Sequence, residues 1–239
     1  MPSYHHQVSA GKKGSGLSHA LYVARKGRYR GRDDLVILEY GNFPSWANGD
    51  PFLFWKEGDN YERSNGAVYR EHEIALPGEL DAGQKRELVH QLIQEFAGDA
   101  PYLAALHGSK SSSIEGLEND HLHLITSDRV PDGIERTAEL FHKRPNALHP
   151  ELGGVRKRSG GKTPWQLGAE LVQVKKRSAE LQNEALMKAG IEARVDHRSL
   201  KQQGISRQPE RHQGQARVRT MSVDEKKVFV DARHVQRSA

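Results

Sequence analysis

Short apolar runs with strand-like character recur along the chain. The segments predicted as strands are 35–40 (LVILEY), 102–107 (YLAALH), 121–126 (HLHLIT) and 68–77 (VYREHEIALP). In the last of these, Glu71, Glu73 and Ala75 fall on one face, because alternate residues of a strand point the same way. The runs are short and half-polar, so they predict strands of an antiparallel sheet and not of a buried parallel one.

Three longer segments have apolar residues at helical spacing, namely 17–30, 81–97 and 164–189. Gly27 is the expected C-cap of the first helix, and Gly190 follows the last. Strands alternate with helices, and some neighbouring strands have hairpin-length links. The predicted fold class is therefore α+β, with a central antiparallel sheet flanked by helices.

Two segments without a clear period are predicted to be loops. Residues 41–60 are rich in Gly, Pro and Asn and carry Trp46 and Trp55, which predicts an irregular loop. Residues 143–162 carry six basic residues and one acid, which predicts a basic loop. Residues beyond 190 show no clear period.

The composition excludes several classes of protein. The chain has 239 residues, of which 36% are hydrophobic, enough for one large domain or for one domain with a tail. It has no cysteine, so it has no disulfide framework, no cysteine-ligated zinc and no thiol nucleophile. It also has no long apolar run and no apolar signal segment at its start. We therefore expect a cytoplasmic protein that does not insert into membranes.

The net charge of +5 is unevenly distributed. Residues 1–32 contain seven Lys and Arg and no acid, residues 33–204 sum to −6, and residues 205–239 sum to +4. A basic end on an acidic body indicates a localised site for a polyanion. A solvated basic arm would give the same pattern.

Three histidines could meet at one point of the predicted sheet. His121 and His123 are two apart in a strand, so both project from one side. His107 ends the preceding strand and reaches the same place if the two strands are neighbours. Three neutral imidazoles with open coordination positions form a catalytic divalent-metal site. A chain with 13 histidines can also contain an H-x-H pair by chance.

Two carboxylates and one tyrosine complete the candidate chemistry. Glu71 and Glu73 share a strand face and either meet solvent or act on a functional group such as a base or metal. Tyr22 lies in the acid-free segment, where nearby cations favour its ionised form, and it would need a base or metal to act as a nucleophile. It could equally be a packed helix residue, and Tyr4 and Tyr29 are not distinguished from it on these grounds.

Five segments in order resemble the MobA/MobL relaxases of mobilisable plasmids. They are ALYVARKGRY, REHEIALP, LAALH, ENDHLHLITSDRVPDGIER and ARVDHRSLKQQGISRQP, and the resemblance runs from Tyr4 to about Pro209. It departs from the family at 109–117, where SKSSSIEGL looks inserted. The resemblance implies a relaxase domain over 1–204, followed by a basic C-terminal extension over 205–239 that is flexible or contacts DNA.

The resemblance also implies an activity and its residues. The family fold is a palm with a metal-bound histidine triad on its sheet, and the reaction is site- and strand-specific nicking and rejoining of DNA at an origin of transfer (oriT). By position, Tyr22 is the nucleophile that forms a 5′-phosphotyrosine. His107, His121 and His123 match the metal ligands, for which Mn or Mg is expected. Glu71, and secondarily Glu73, match the acidic residue that serves as a base or orients the metal site.

The implied partners follow from this reaction. They are oriT DNA, as a single strand with an adjacent hairpin or duplex, relaxosome accessory proteins and the coupling protein of a type IV secretion system. The residues expected to bind the DNA backbone are basic and are Lys12, Lys13, Arg25, Lys26, Arg28, Arg30, Arg156, Lys157 and Arg158. Trp46, Trp55 or Trp165 could stack on an unpaired base. Two alternatives stay open, a non-catalytic DNA-binding accessory protein and a rolling-circle replication initiator.

Overall fold

The computed structural model describes residues 4–108, 120–206, 220–228 and 231. Within these residues a five-stranded antiparallel sheet has the order β1-β3-β5-β4-β2. Its strands are β1 (His6–Lys12), β2 (Leu35–Gly41), β3 (Ala67–Ala75), β4 (Tyr102–His107) and β5 (His121–Thr126). The helices are α1 (Gly16–Val23), α2 (Pro51–Tyr61), α3 (Ala82–Phe96), α4 (Ala138–His142) and α5 (Pro164–Lys188). The predicted α+β class, a central antiparallel sheet flanked by helices, is confirmed.

Helices cover both faces of the sheet. On one face, here the α3 face, the apolar side chains of Ile74, Leu122 and Leu124 pack against helices α3 and α5. On the other, here the α1 face, Leu103 and Ile125 pack with residues of α1, α2 and α4. Strands β3, β4 and β5 each contribute side chains to both cores, because alternate residues of a strand point to opposite faces.

The predicted helix over 17–30 ends at Val23. Arg25 has a φ of +52° and Gly27 a φ of +59°, so the backbone leaves the right-handed helical region there. Only a short 3-10 turn, Gly27–Tyr29, follows. The expected C-cap at Gly27 therefore lies beyond the actual end, because a left-handed arginine stops the helix first.

The predicted loop over 41–60 contains helix α2, so that prediction was wrong. Asp50 caps the helix by accepting a hydrogen bond from the Phe52 N–H, and Pro51 takes the first helical position. Trp55 and Phe54 are buried in the core of the α1 face. A start signal of Asp followed by Pro was present but was outweighed by the loop-like composition.

Strand β1 was not predicted, because its sequence HQVSAGK is mostly polar. It forms through backbone pairing with β3 along its whole length. A bulge separates Gly11 from Lys12, and the ring of Tyr69 lies directly over Gly11. A Cβ at position 11 would lie 2.0 Å from the Tyr69 ring, so only glycine fits there.

The predicted basic loop over 143–162 is anchored to the body by one buried arginine. The Arg129 guanidinium donates to the backbone carbonyls of Lys143 and Val155 and pairs with Glu62 at the end of α2. Lys157 pairs with the same carboxylate at 3.0 Å. Burial alone would raise the pKa of Glu62, but Arg129 and Lys157 hold that pKa below its usual range.

Two predictions concern residues that lie outside the described part of the chain. The segment 109–117, which looked inserted, lies there entirely, and so does most of the basic extension 205–239, including 207–219 and 232–239. Among the helices that are described, none combines the length and the apolar character needed to cross a bilayer.

Two histidines form a buried pair on the α3 face. His6 Nε2 lies 3.1 Å from His72 Nδ1, and both rings pack against Phe96. Burial, together with neighbouring positive or titratable groups, lowers the pKa of His6 to about 3 and that of His72 to about 4. Both are therefore neutral in the folded protein at neutral pH.

We expect this pair to make stability fall in mild acid. Unfolded histidine binds a proton near pH 6.5, whereas the folded sites bind one only near pH 3–4, so stability declines as the pH falls through this window. At about pH 5 the two sites together cost up to about 4 kcal/mol. Urea unfolding at about pH 7.5 and about pH 5 measures the loss.

The double variant His6→Leu with His72→Leu should lose correspondingly less stability between these two pH values. His149→Leu makes the same chemical change at an exposed position and serves as the control. An equal acid sensitivity of the double variant and the wild type would contradict the assignment.

Candidate metal and tyrosine site

The register of β4 and β5 brings the three predicted histidines together. His107 pairs directly with His121, and His123 lies two residues further on, opposite Ala105. All three project from the α1 face. One nitrogen of each ring lies within 4.8 Å of the corresponding nitrogens of the other two. The prediction that these residues meet at one point is therefore confirmed by the geometry.

Glu71 of β3 orients His123. The His123 Nδ1 donates to Glu71 Oε1 at 2.8 Å, and His19 Nε2 lies 2.9 Å from the same oxygen. Burial alone would raise the pKa of Glu71, but the contacts with His123 and His19 lower it to about 2. The carboxylate is therefore ionised and fixes the His123 ring in one orientation.

The outer nitrogen of His123 indicates that the site fits a metal. His123 Nε2 is buried and makes no hydrogen bond within the described residues. A buried polar atom without a partner is costly, whereas a metal ligand held by a carboxylate through its other nitrogen is the usual arrangement at metal sites. His107, His121 and His123 are accordingly the residues that could hold a divalent ion.

His107 has partners on both ring nitrogens. Its Nε2 donates to the Val23 carbonyl at 2.8 Å, and its Nδ1 accepts from Arg25 Nη2 at 3.0 Å. Burial, reinforced by His123 and Arg25, lowers the pKa of His107 to about 3, so the ring is neutral as a metal ligand requires. One of its two hydrogen bonds has to break before it can ligate.

Tyr22 of helix α1 faces the triad. Its ring centre lies 6.4 Å from that of His107 and 6.1 Å from that of His123, both edge-on. The guanidinium carbon of Arg25 lies 4.7 Å from the Tyr22 ring centre, and that of Arg32 lies 5.5 Å away. A half-buried tyrosine between two guanidinium groups and two imidazoles is well placed for chemistry on an anionic substrate.

The other tyrosines left open by the sequence are placed differently. The Tyr4 hydroxyl donates to the Lys175 carbonyl at 2.6 Å on helix α5, which covers the opposite face of the sheet. Tyr29 packs edge-on against Tyr22, and its hydroxyl accepts from Arg28. Of the three, Tyr22 is the one whose ring contacts two histidines of the triad.

Asp59 of helix α2 holds the start of the tyrosine helix. Its carboxylate accepts hydrogen bonds from the backbone N–H groups of Gly14, Gly16 and Leu17, at 2.8 to 2.9 Å. These groups would otherwise lack partners at a helix N-terminus. Helix α1 has no side-chain cap of its own. Asp59 thus fixes the position from which Tyr22 reaches the triad.

Glu73 is less engaged than Glu71. It is opposite His123 in the β3–β5 register and half-buried. In the part of the chain that the structure describes, its carboxylate makes no hydrogen bond and no ion pair. The structure therefore distinguishes two glutamates that the sequence could not. Glu71 contacts the histidines, whereas the Glu73 carboxylate has no partner among the described residues.

The basic residues predicted to bind DNA fall into two groups. The exposed group consists of Lys12, Lys13, Lys26, Arg28, Arg30, Arg156 and Arg158. Arg25, in contrast, is buried and forms a bidentate pair with Asp34 at 2.7 Å, so it belongs to the interior of the site. Lys157 pairs with Glu62 and donates to the Ala67 carbonyl, and Arg158 donates to carbonyls at the end of α3.

Three residues of the site were missed from the sequence. His19 precedes Tyr22 by three positions, a spacing that places both on one helix face, and its ring stacks on Tyr69. Asp34 and Asp59 act at long range or across a turn, through Arg25 and through backbone N–H groups. A search for polar residues at i−3 from the tyrosine would have found His19, but no local signal marks the two aspartates.

Comparisons with known proteins identify one matching family and several similar relatives. The MobA/MobL family profile matches residues 17–222. The chain is 44% identical over 211 residues to the 43 kDa relaxation protein of Salmonella typhimurium, covering 87% of this chain and 57% of the relative. It is 38% identical over 220 residues to mobilization protein A of Escherichia coli, covering 90% of this chain and 30% of the relative. The chain thus spans about a third to just over half of these relatives.

A solved structure has the same fold. It comes from work on the molecular basis of vancomycin resistance transfer in Staphylococcus aureus, and it aligns with a TM-score of 0.58 at 22% identity. The alignment covers 82% of this chain and 99% of the other.

The Glu71 contact predicts a difference between two neighbouring glutamates. Glu71→Gln should weaken Mn²⁺ binding by about 10- to 100-fold, because the carboxylate that orients His123 is lost. Glu73→Gln makes the same change two residues away and should leave the affinity close to that of the wild type. Titration calorimetry measures both, and equal losses would rule out the assigned role of Glu71.

The Asp59 contact predicts a loss of stability at the tyrosine helix. Asp59→Ala leaves three N–H groups without their acceptor and should lower the free energy of unfolding by about 1–3 kcal/mol. Asp50→Ala, which removes one capping bond of α2, should cost about 1 kcal/mol. Urea denaturation measures both, and a cost at Asp59 no larger than at Asp50 would argue against this anchoring.

Proposed function

The chain belongs to the MobA/MobL family, and from this and the site we propose that it is a DNA relaxase. In this proposal it nicks one strand of plasmid DNA at an origin of transfer, rejoins it, and so starts conjugative mobilisation. The observation that carries the proposal is the position of Tyr22 beside the histidine triad, with its ring 6.1 Å from that of His123. The candidate nucleophile and the candidate metal site are thereby adjacent on one sheet face.

The proposed reaction is a transesterification. The Tyr22 oxygen attacks the scissile phosphorus and gives up its proton, and the bond from phosphorus to the 3′ oxygen breaks. The leaving 3′ oxygen takes up one proton, so the products are a free 3′-hydroxyl and a 5′-phosphotyrosine. A phosphodiester-type bond is kept, so the reverse reaction rejoins the strand without ATP. The absence of a P-loop motif from the sequence is consistent with this.

The triad would hold a divalent ion, for which Mn or Mg is our proposal. When bound, such an ion supplies Lewis-acid stabilisation of charge on the phosphate oxygens. Glu71 keeps His123 oriented for this purpose. The guanidinium groups of Arg25 and Arg32 lie over the Tyr22 ring, so positive charge is present where the phosphate would approach. Glu73, which is ionisable and uncommitted in the described structure, is the candidate to accept the tyrosine's proton.

The exposed cations near the tyrosine helix would bind the DNA backbone. Lys12 and Lys13 precede helix α1, and Lys26, Arg28 and Arg30 follow it. Phosphate contacts of this kind make binding fall with salt concentration. The proposed partners are oriT DNA, relaxosome accessory proteins and the coupling protein of a type IV secretion system, and the proposed location is the cytoplasm.

Two other functions are less well supported. A non-catalytic accessory protein would not need Tyr22, the triad and Glu71 to converge as they do. In rolling-circle initiators that share the H-x-H site, the tyrosine follows the histidines in sequence, whereas Tyr22 precedes them. The family match favours the relaxase over both.

Covalent trapping tests the proposed reaction. The chain is incubated with Mn²⁺ and single-stranded oligonucleotides that tile the DNA beside its own coding sequence, and an SDS-resistant protein–DNA band is sought. Tyr22→Phe should bind the reactive oligonucleotide as the wild type does but give no band, because the attacking oxygen is gone.

Tyr29→Phe is the matched control, because the Tyr29 ring packs against Tyr22. Removing the Tyr29 hydroxyl should preserve the band. The double variant His121→Ala with His123→Ala should abolish both the band and Mn²⁺ binding. A band that survives in Tyr22→Phe would refute the assignment of the nucleophile.

A further inference from the structure

Trp165 stands apart from the other tryptophans. Trp55 is fully buried, and Trp46 packs against Phe54 and Phe141 in the same core. Trp165, in contrast, is 81% exposed. Leaving a large aromatic side chain in water loses the favourable free energy of its burial. The exposure of Trp165 therefore suggests that it contacts a ligand.

Helix α5 carries Trp165 away from the body of the protein. The C-terminal half of the helix packs on α3, and Leu181 and Leu186 are buried there. The segment 164–173 is exposed except at Leu167 and Leu171, which are half-buried. Ten residues of helix extend about 15 Å, so the first turns of α5 project well beyond this packed half.

A basic depression lies at the start of helix α5, where Trp165 is the second residue. It has a volume of about 480 Å³, and its walls include Arg156, Lys157, Arg158 and Lys162, with Gln166, the residue after Trp165, completing the rim. Its lining contains no acidic residue. Lys157 is committed to Glu62, and Lys162 pairs with Glu170 in an exposed contact at 2.7 Å. The side chain of Arg156 is exposed and makes no hydrogen bond or ion pair in the described structure.

This depression lies away from the triad along the sheet. Its wall residue Val130 follows the Thr126 end of β5, whereas His121 stands at the other end of that strand. The strand alone spans roughly 17 Å between these ends. A single molecule that meets both places must therefore be extended, as a nucleic acid strand is.

We propose that Trp165 and the adjacent depression form a second DNA subsite, in which an unpaired base stacks on the indole and its phosphate binds Arg156. The inference rests on the proposed relaxase function for its choice of ligand. An aromatic platform beside cations is the usual way in which proteins hold single strands without reading their sequence. The positive charge of the depression favours a phosphate-bearing ligand over an apolar protein surface.

Tryptophan fluorescence tests the stacking directly. Trp165 is the exposed one of the three tryptophans, so base stacking should quench its emission when single-stranded oligothymidylate is added. This probe does not depend on a nick site, so the signal reports binding alone. Trp165→Phe should remove the quenching but keep most of the affinity, because phenylalanine also offers a ring for stacking.

Affinity measurements provide the second test. Trp165→Ala should weaken binding of oligothymidylate by roughly 5- to 100-fold. Arg156→Ala should weaken it as well and lower the slope of log affinity against log salt concentration by about 0.7. Met187→Ala is the matched control, since Met187 is 62% exposed at the other end of the same helix.

The outcomes separate this inference from the proposed function. If Trp165→Ala binds oligothymidylate as tightly as Met187→Ala and quenching is absent, the subsite is refuted, whether or not the chain forms a covalent adduct. If quenching instead follows protein concentration without DNA, Trp165 contacts another copy of the chain and the proposal fails. Quenching and loss of affinity without any covalent adduct would support the subsite and reject the relaxase reaction.

Discussion

The buried guanidinium of Arg25 is the interaction on which the site depends. It forms two hydrogen bonds to Asp34 ahead of β2, one to His107 of β4 and one to the Tyr22 carbonyl of α1. The left-handed backbone conformation of Arg25 costs about 1–2 kcal/mol. The turn at Arg25 directs its side chain towards the end of helix α1, where it reaches the Tyr22 carbonyl. Burial opposes both charges, yet Arg25 still holds the pKa of Asp34 below its usual range. The tyrosine helix and the histidine strand are thus joined through one charged group.

The count of basic residues along the sequence overstates how many positive side chains are free to bind a polyanion. Arg25, Lys157 and Arg158 are basic in the sequence, but the structure uses them to satisfy carboxylates and carbonyl groups. Such roles depend on acceptors distant in sequence, so charge patterning cannot reveal them. The exposed cations flanking α1 retain the positive potential that the pattern indicated.

Much of the sheet and the histidine cluster could be predicted from the sequence. The period of two in β3 and β5 fixed which residues share a face, and adjacency of β4 and β5 was enough to place His107 against His121. Strand β1 was not predicted, because backbone pairing and not apolar burial holds it in place. Helix α2 was not predicted, because the loop-like composition of residues 41–60 masks the Asp–Pro start signal at its N-terminus. The roles of His19, Asp34 and Asp59 arise only from tertiary contacts.

The order of the strands has a consequence for how the molecule opens. β5, which carries His121 and His123, is the central strand, and it is hydrogen-bonded on both sides by β3 and β4, which carry Glu71 and His107. Fraying of a sheet starts at its outer strands, here β1 and β2, where fewer bonds must break. We therefore expect the amide hydrogens of β5 to exchange more slowly than those of the edge strands. The backbone that carries His121 and His123 is thereby less exposed to the local fluctuations that loosen the edges of the sheet.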